Sequence, residues 1–116
     1  MSTEFDFQTI ANVDELDALF ERSRIDGETI VLFNHDPWCP ISARAYTEMR
    51  SAELDANVAL IDVSRLKVVT RALTERTGVR HESPQVIVLR DGAPAWDASH
   101  FGITRDAVRR VVATVE

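Results

Sequence analysis

Three short runs constrain this chain more than any other feature: Thr29-Ile30-Val31-Leu32-Phe33, Val58-Ala59-Leu60-Ile61-Asp62-Val63 and Gln85-Val86-Ile87-Val88-Leu89-Arg90. Each is rich in β-branched residues and almost uniformly apolar. A strand with one wet face alternates polar and apolar residues. A run without that alternation predicts a strand covered on both faces, as in a parallel sheet between layers of helices. The intervening segments carry the helical periodicity that such layers need. Asn12 stands where an N-cap belongs and Glu15 follows as in a capping box, with Val13, Leu16, Leu19 and Phe20 forming one stripe before Gly27. Ser42, Ala45, Tyr46 and Met49 predict a second helix from about Pro40 to Leu54. Ser64 is the expected cap of a third, which carries Val68, Val69, Ala72 and Leu73 and stops at Gly78. Asp91-Gly92 predicts a hairpin into Ala93–Trp96, and Thr104 the cap of a last helix striped by Val108, Val111, Val112 and Val115. Phe5–Ile10 has the weaker pattern of a further edge strand.

The resulting order is helix, strand, helix, strand, helix, strand, strand, helix. A βαβ half with a right-handed crossover, followed by a ββα half, makes a small α/β sandwich. With a cysteine at the first strand-to-helix junction, this is the thioredoxin-like arrangement: three layers, α/β/α, around a mixed sheet. At 116 residues the chain fits a single domain over 1–116, large enough to bury a core.

One cysteine, Cys39, excludes an internal disulfide, a CxxC redox pair and an all-cysteine zinc site. The net charge of −6 argues against a general nucleic-acid binder. That charge is concentrated in residues 1–36, which hold nine acids and two bases and read as a solvated face. No apolar run approaches the roughly 20 residues that span a bilayer. Met1-Ser2-Thr3-Glu4-Phe5-Asp6 lacks the basic start and apolar stretch of a secretory signal. The expectation is a cytoplasmic protein, without membrane or nucleic-acid partners, whose thiol is kept reduced.

Cys39 follows a buried strand and precedes a helix, at the edge where open α/β sheets gather ligands. Pro40 suits the first helical position, since its missing N–H has no partner there, and this places Cys39 at the N-cap. Unpaired N–H groups and the positive end of the helix dipole favour an anion there, which for cysteine is the reactive thiolate. Trp38-Cys39-Pro40-Ile41-Ser42 reads as a CxxC motif whose second cysteine is serine. Ser42 cannot form a disulfide, but its hydroxyl is placed to hydrogen-bond the Cys39 sulfur. Far along the chain, His81-Glu82-Ser83-Pro84 leads directly into the third run. A proline entering a buried strand gives up a ladder hydrogen bond. Thioredoxin-like proteins, which this order resembles, carry a cis-proline here that faces the active cysteine. The resemblance implies a cis Ser83–Pro84 bond that turns the Ser83 backbone toward Cys39, so that an incoming disulfide pairs with it like a short strand. The alternative is an ordinary trans proline opening the strand.

The blocks Cys39-Pro40-Ile41-Ser42, with His35 before them, His81-Glu82-Ser83-Pro84-Gln85 and Ala98-Ser99-His100-Phe101-Gly102-Ile103-Thr104 resemble the monothiol bacilliredoxins of the YtxJ type. The resemblance runs from the first helix to the last. It implies that Cys39 attacks mixed disulfides between protein thiols and bacillithiol, a small cysteine-containing thiol with sugar and malate parts. The partners implied are S-thiolated cytoplasmic proteins. The small thiol is co-substrate rather than a tightly bound cofactor. A small hydroxyl residue, usually threonine, precedes the cysteine in that family. Trp38 stands there instead, which leaves the identity of the small thiol open.

Around the nucleophile, Trp38, Pro40, Ser42, Ser83 and Pro84 are the expected supporting residues. His35, Arg44, Arg80 and His81 are candidates for tuning the thiolate or holding the small thiol. His35 either acts as a cation beside the thiolate or bonds nearby backbone. Trp38 either covers the thiol or offers a face to partners. Trp96 is expected to pack the sheet, and His100 with Phe101 the turn before the last helix. One cysteine and three scattered histidines match no metal-ligand spacing, so no metal site is expected. Two other classes stay open: an iron–sulfur carrier like the monothiol glutaredoxins, whose Cys-Gly-Phe-Ser loop lacks the stiffening proline, and a non-catalytic thioredoxin-like binding module.

Overall fold

The apolar runs pair with one another as their pattern requires. In the computed structural model, which describes residues 7–113, they form β2 (Ile30–His35), β3 (Asn57–Asp62) and β4 (Gln85–Arg90). A short β1 (Gln8–Thr9) and a long β5 (Ala93–Ser99) complete one sheet in the order β1-β3-β2-β4-β5. The first three strands of that order run parallel, and β4 and β5 add antiparallel pairings. The helices are α1 (Val13–Asp26), α2 (Pro40–Ala52), α3 (Lys67–Thr77) and α4 (Arg105–Ala113), with a 3-10 turn at His100–Gly102. The expected edge strand over Phe5–Ile10 begins outside the described residues and within them is only β1. Val115 of the last helix's stripe also lies outside. No helix among the described residues is long and apolar enough to cross a membrane.

Neighbouring residues of a strand face opposite sides, and this divides the core in two. Ile30 and Leu32 join Ile61, Ile87 and Leu89 under Leu16 and Leu19 of α1 and Val69 and Leu73 of α3. Val31 and Phe33 join Val58, Val86 and Val88 under Ala45 and Met49 of α2 and Val108 of α4. The expected three-layer sandwich with a mixed sheet is therefore the fold. Each fully buried side chain of this size contributes roughly 1.5–3 kcal/mol by leaving water.

Several ends follow the local signals. The Glu15 N–H donates to Asn12 Oδ1 (2.9 Å), while Glu15 Oε1 accepts from the Ala11 N–H (2.7 Å), one residue before the N-cap. Thr104 Oγ1 accepts from the Ala107 N–H at the start of α4 (3.2 Å). Asp91 and Gly92 both have positive φ, 55° and 76°, which is the twist a two-residue hairpin turn needs. A Cβ on Gly92 would stand 2.9 Å from the Arg24 Cβ, so space as well as backbone angle selects glycine there.

Other boundaries differ from expectation. Ser64 does not cap α3: its N–H and hydroxyl both donate to Asp62 Oδ1 (3.0 and 2.6 Å), and the helix starts after Leu66. The carboxylate at the strand end outcompetes the helix for that serine, as short polar side chains allow. The second helix stops at Ala52 rather than Leu54, with Glu53 left-handed at φ 49°. Past Trp96, β5 continues to Ser99, because a register shift at Val88/Leu89 absorbs an extra residue and keeps the strand on β4. Pro94 is tolerated because β5 is an edge strand. Trp96 packs on the α2/α4 side of the sheet as expected, whereas Phe101 is exposed instead of packed.

Candidate active site

Strand β2 ends at His35, and the chain reaches α2 through Asp36-Pro37-Trp38-Cys39. Asp36 shapes that turn. Its Oδ1 accepts from the Trp38 N–H (3.0 Å) and its carbonyl from the Cys39 N–H (3.1 Å). Cys39 is then the extended N-cap of α2 with Pro40 in the first helical turn, as the Cys-Pro pair predicts. The Cys39 carbonyl accepts from the Ala43 N–H (2.9 Å), while its side chain makes no capping bond. Cys39 is half-buried, and the first turn of α2 carries no acidic residue to oppose a thiolate. Trp38 is 83% exposed, so it presents its ring outward instead of closing over a pocket.

Ser42 is fully buried one turn along. Its Oγ accepts from the Asp36 N–H (2.9 Å) and lies 2.7 Å from His35 Nδ1. The expected bond to the Cys39 sulfur is therefore not the one it makes: the hydroxyl joins the end of β2 to the start of α2. The His35 ring stacks on Tyr46 at 5.1 Å between centroids and lies 5.3 Å from Phe33. Burial pushes the His35 pKa below its ordinary value of 6.5, against the opposing pull of Asp62 and Asp36. A cationic His35 beside the thiolate is thus disfavoured, and its hydrogen-bond partner is a side chain, not the nearby backbone.

Across from this turn, the Ser83–Pro84 peptide is cis and Pro84 is buried, with its carbonyl accepting from the His100 N–H (3.0 Å). Asn34 of β2 stands opposite Gln85 of β4. Its Nδ2 donates to Gln85 Oε1 (2.9 Å), and Gln85 Nε2 donates to the Arg80 carbonyl (2.8 Å). The antiparallel register, continued past this pair, sets Pro84 beside His35 and Ser83 beside Asp36. Asp36 and Ser83 indeed line one groove of about 480 Å³, whose other side is α3. A larger cavity of about 650 Å³ lies at the starts of α1 and α3 and includes neither Cys39 nor Ser83.

The sequence candidates therefore separate. His35, Trp38, Pro40 and Ser42 are one connected turn around Cys39, and Ser83, Pro84 and His81 form the facing segment. Arg44 lies apart, its guanidinium 5.2 Å from the centre of the Phe101 ring, and Arg80 is exposed, with its carbonyl the group that holds Gln85. Sequence reasoning missed Asp36, which the Asp-Pro pair signals as a turn initiator. It also missed the Asn34–Gln85 amide pair and the α3 side of the groove, for which no local signal exists. No group of three or more metal-ligating side chains occurs among the described residues.

A family model described as monothiol bacilliredoxin BrxC matches residues 8–108. Among solved structures, the chain is similar to a protein with a thioredoxin fold at 23% identity and a TM-score of 0.80, over 89% of this chain and 90% of that one. It is also similar to a thioredoxin from Schistosoma mansoni (16% identity, TM-score 0.73, 92% and 93% covered). A thioredoxin from Fasciola hepatica matches at 15% identity and a TM-score of 0.69, with 91% and 96% covered. At these identities the structural likenesses speak for the fold alone. The family match runs from β1 into α4 and takes in Cys39, Ser42, Ser83 and Pro84, and on it the chain belongs to the monothiol bacilliredoxin family.

Proposed function

We propose that this protein, a thiol–disulfide oxidoreductase by family, strips a low-molecular-weight thiol from mixed disulfides on cytoplasmic proteins, with Cys39 as nucleophile. Bacillithiol is the thiol its family points to. The observation that carries the reading is the pairing of a half-exposed Cys39 at the N-cap of α2 with a fully buried Ser42 whose hydroxyl is already engaged. Cys39 is partly exposed at a helix start, and no second thiol in the chain can close on it.

The Cys39 thiolate attacks the small-thiol sulfur of the adduct. A Cys39–small-thiol disulfide forms, and the client's sulfur leaves as a thiolate that takes a proton from water. A second small-thiol molecule then attacks the carried sulfur, restoring Cys39 and leaving as the symmetric disulfide. The resolving sulfur comes from outside, so one cysteine suffices and no bound cofactor is required. Incubation with an oxidised small thiol is expected to add one adduct by mass, at Cys39. A thiolated model protein is expected to be reduced catalytically, and bacillithiol to support faster turnover than glutathione. Full turnover by Cys39→Ser would overturn the mechanism.

A further inference from the structure

Resting on Cys39 as the exchanging thiol, we propose that the buried amides of Asn34 and Gln85 are positioning residues for the exchange. They hold the Cys39 turn and the facing segment 80–84 at a fixed separation. Strands β2 and β4 pair through five rungs, and the first four are wholly apolar: Ile30–Leu89, Val31–Val88, Leu32–Ile87 and Phe33–Val86. The fifth and last is Asn34–Gln85, directly before His35 on one strand and directly after Pro84 on the other. Both side chains are buried, at 1% and 2% exposure.

Past this rung the two strands part. The His35 carbonyl accepts from the Val63 N–H (3.0 Å), next to β3, and the Pro84 carbonyl from the His100 N–H (3.0 Å), next to β5. Each loop is thus tied to its outer neighbour. Among the described residues no backbone hydrogen bond joins the Cys39 turn to the 80–84 segment.

The amides supply that tie. Asn34 Nδ2 donates to Gln85 Oε1 (2.9 Å), and Gln85 Nε2 donates to the Arg80 carbonyl (2.8 Å), at the start of the facing segment. A carbonyl can only accept, so Arg80 fixes which end of Gln85 faces it, and Gln85 in turn fixes Asn34. Asn34 Oδ1 is left buried with no hydrogen-bond partner among the described residues. An unpaired buried acceptor costs stability, and an apolar fifth rung would continue the core without that cost. Arg80 is exposed, so its carbonyl has water as an alternative partner. What the amides add is therefore a directional link from the strand that delivers Cys39 to the segment across from it. A linked polar network of this kind rigidifies the groups it joins.

Exchange needs a disulfide held against the sulfur between both loops, whereas alkylation needs only the sulfur. The test compares these two rates at Cys39 for variants shown to be folded by circular dichroism. In exchange, the Cys39 thiolate attacks the cysteine sulfur of a model protein thiolated with cysteine. A Cys39–cysteine disulfide forms and the model protein's thiolate leaves. In alkylation by iodoacetamide, a carbon–sulfur bond forms at Cys39 and iodide leaves. Gln85→Met removes both amide bonds at nearly constant volume. It is expected to slow exchange about tenfold or more, as misplacement of a reacting group by about 1 Å does, and to change alkylation by less than about twofold. Asn34→Val with Gln85→Met makes the fifth rung apolar like the other four. It is expected to keep or exceed the wild-type unfolding midpoint and to show the same selective loss of exchange. Ile30→Val, at the far end of the same ladder, trims the core away from both loops and is expected to leave both rates alone. Wild-type exchange in the double variant, equal slowing of exchange and alkylation, or an equal loss in Ile30→Val would overturn the positioning role while Cys39 chemistry stands. Failure of the wild-type protein to reduce the thiolated protein would refute the underlying reading, and the positioning role with it.

Discussion

On the α2 side of the Cys39 loop, polar groups are occupied with one another, whereas on the α3 side several are not. From Asp36 to Ser42, two backbone N–H groups bond Asp36, a third bonds Ser42 Oγ, and that hydroxyl also meets His35. Around the groove, Ser83 Oγ, at the Asp36 end, has no hydrogen-bond partner and Lys67 and Arg71 of α3 have no ion-pair partner among the described residues. A satisfied network holds a nucleophile in place, because breaking the bonds to Ser42 would leave a buried hydroxyl unpaired. An unsatisfied wall has bonding capacity left for something else. One side of the site is built for position and the other for contact.

The largest effect tests whether any group besides the sulfur performs the chemistry. Cys39→Ser is expected to lose adduct formation and turnover entirely while keeping its unfolding midpoint, since the thiol makes no capping bond. Residual turnover would mean that the satisfied wall is more than a holder. Next comes the wall itself. Ser42→Ala leaves the Asp36 N–H and His35 Nδ1 without their partner and is expected to destabilise by about 1–3 kcal/mol in denaturant unfolding. An unchanged midpoint would break the comparison.

The third effect is the pH dependence that His35 confers. Its folded-state pKa lies below the ordinary 6.5, so the unfolded chain binds the proton more readily. Stability from this group is complete above 6.5 and declines as pH falls from there toward the folded pKa. His35→Gln is expected to flatten the slope of unfolding free energy against pH just below 6.5, measured side by side with wild type. An identical slope would show that His35 is as easily protonated folded as unfolded. The smallest effect is in the groove: Ser83→Ala removes a hydroxyl with no hydrogen-bond partner among the described residues and is expected to shift stability by no more than about 0.5 kcal/mol. A loss as large as that of Ser42→Ala would erase the difference between the walls.

Much of this was readable from contiguous residues. The apolar runs announced covered strands, Asp91-Gly92 announced its hairpin, and Pro40 after Cys39 announced a cysteine at a helix N-cap. Serine was harder to read. Both Ser42 and Ser64 invite a local role, but each bonds a group at the end of a strand instead. A short hydroxyl takes whichever donor or acceptor packing brings closest, and competing local bonds are nearly equal in strength.

The sequence by itself determined the layer order, the lone thiol and its place at a helix start. These follow from hydrophobic period and from proline's missing N–H, both properties of neighbouring residues. Tertiary structure alone decided that Ser42 serves His35 and Asp36, and that burial disfavours a charged His35. It alone decided that Lys67 and Arg71 of α3 share a groove with Asp36 and Ser83. The partners of a buried or cleft-lining polar group come from segments that meet only when the sheet assembles. Burial and electrostatic neighbours are properties of that assembly, and no window along the chain contains them.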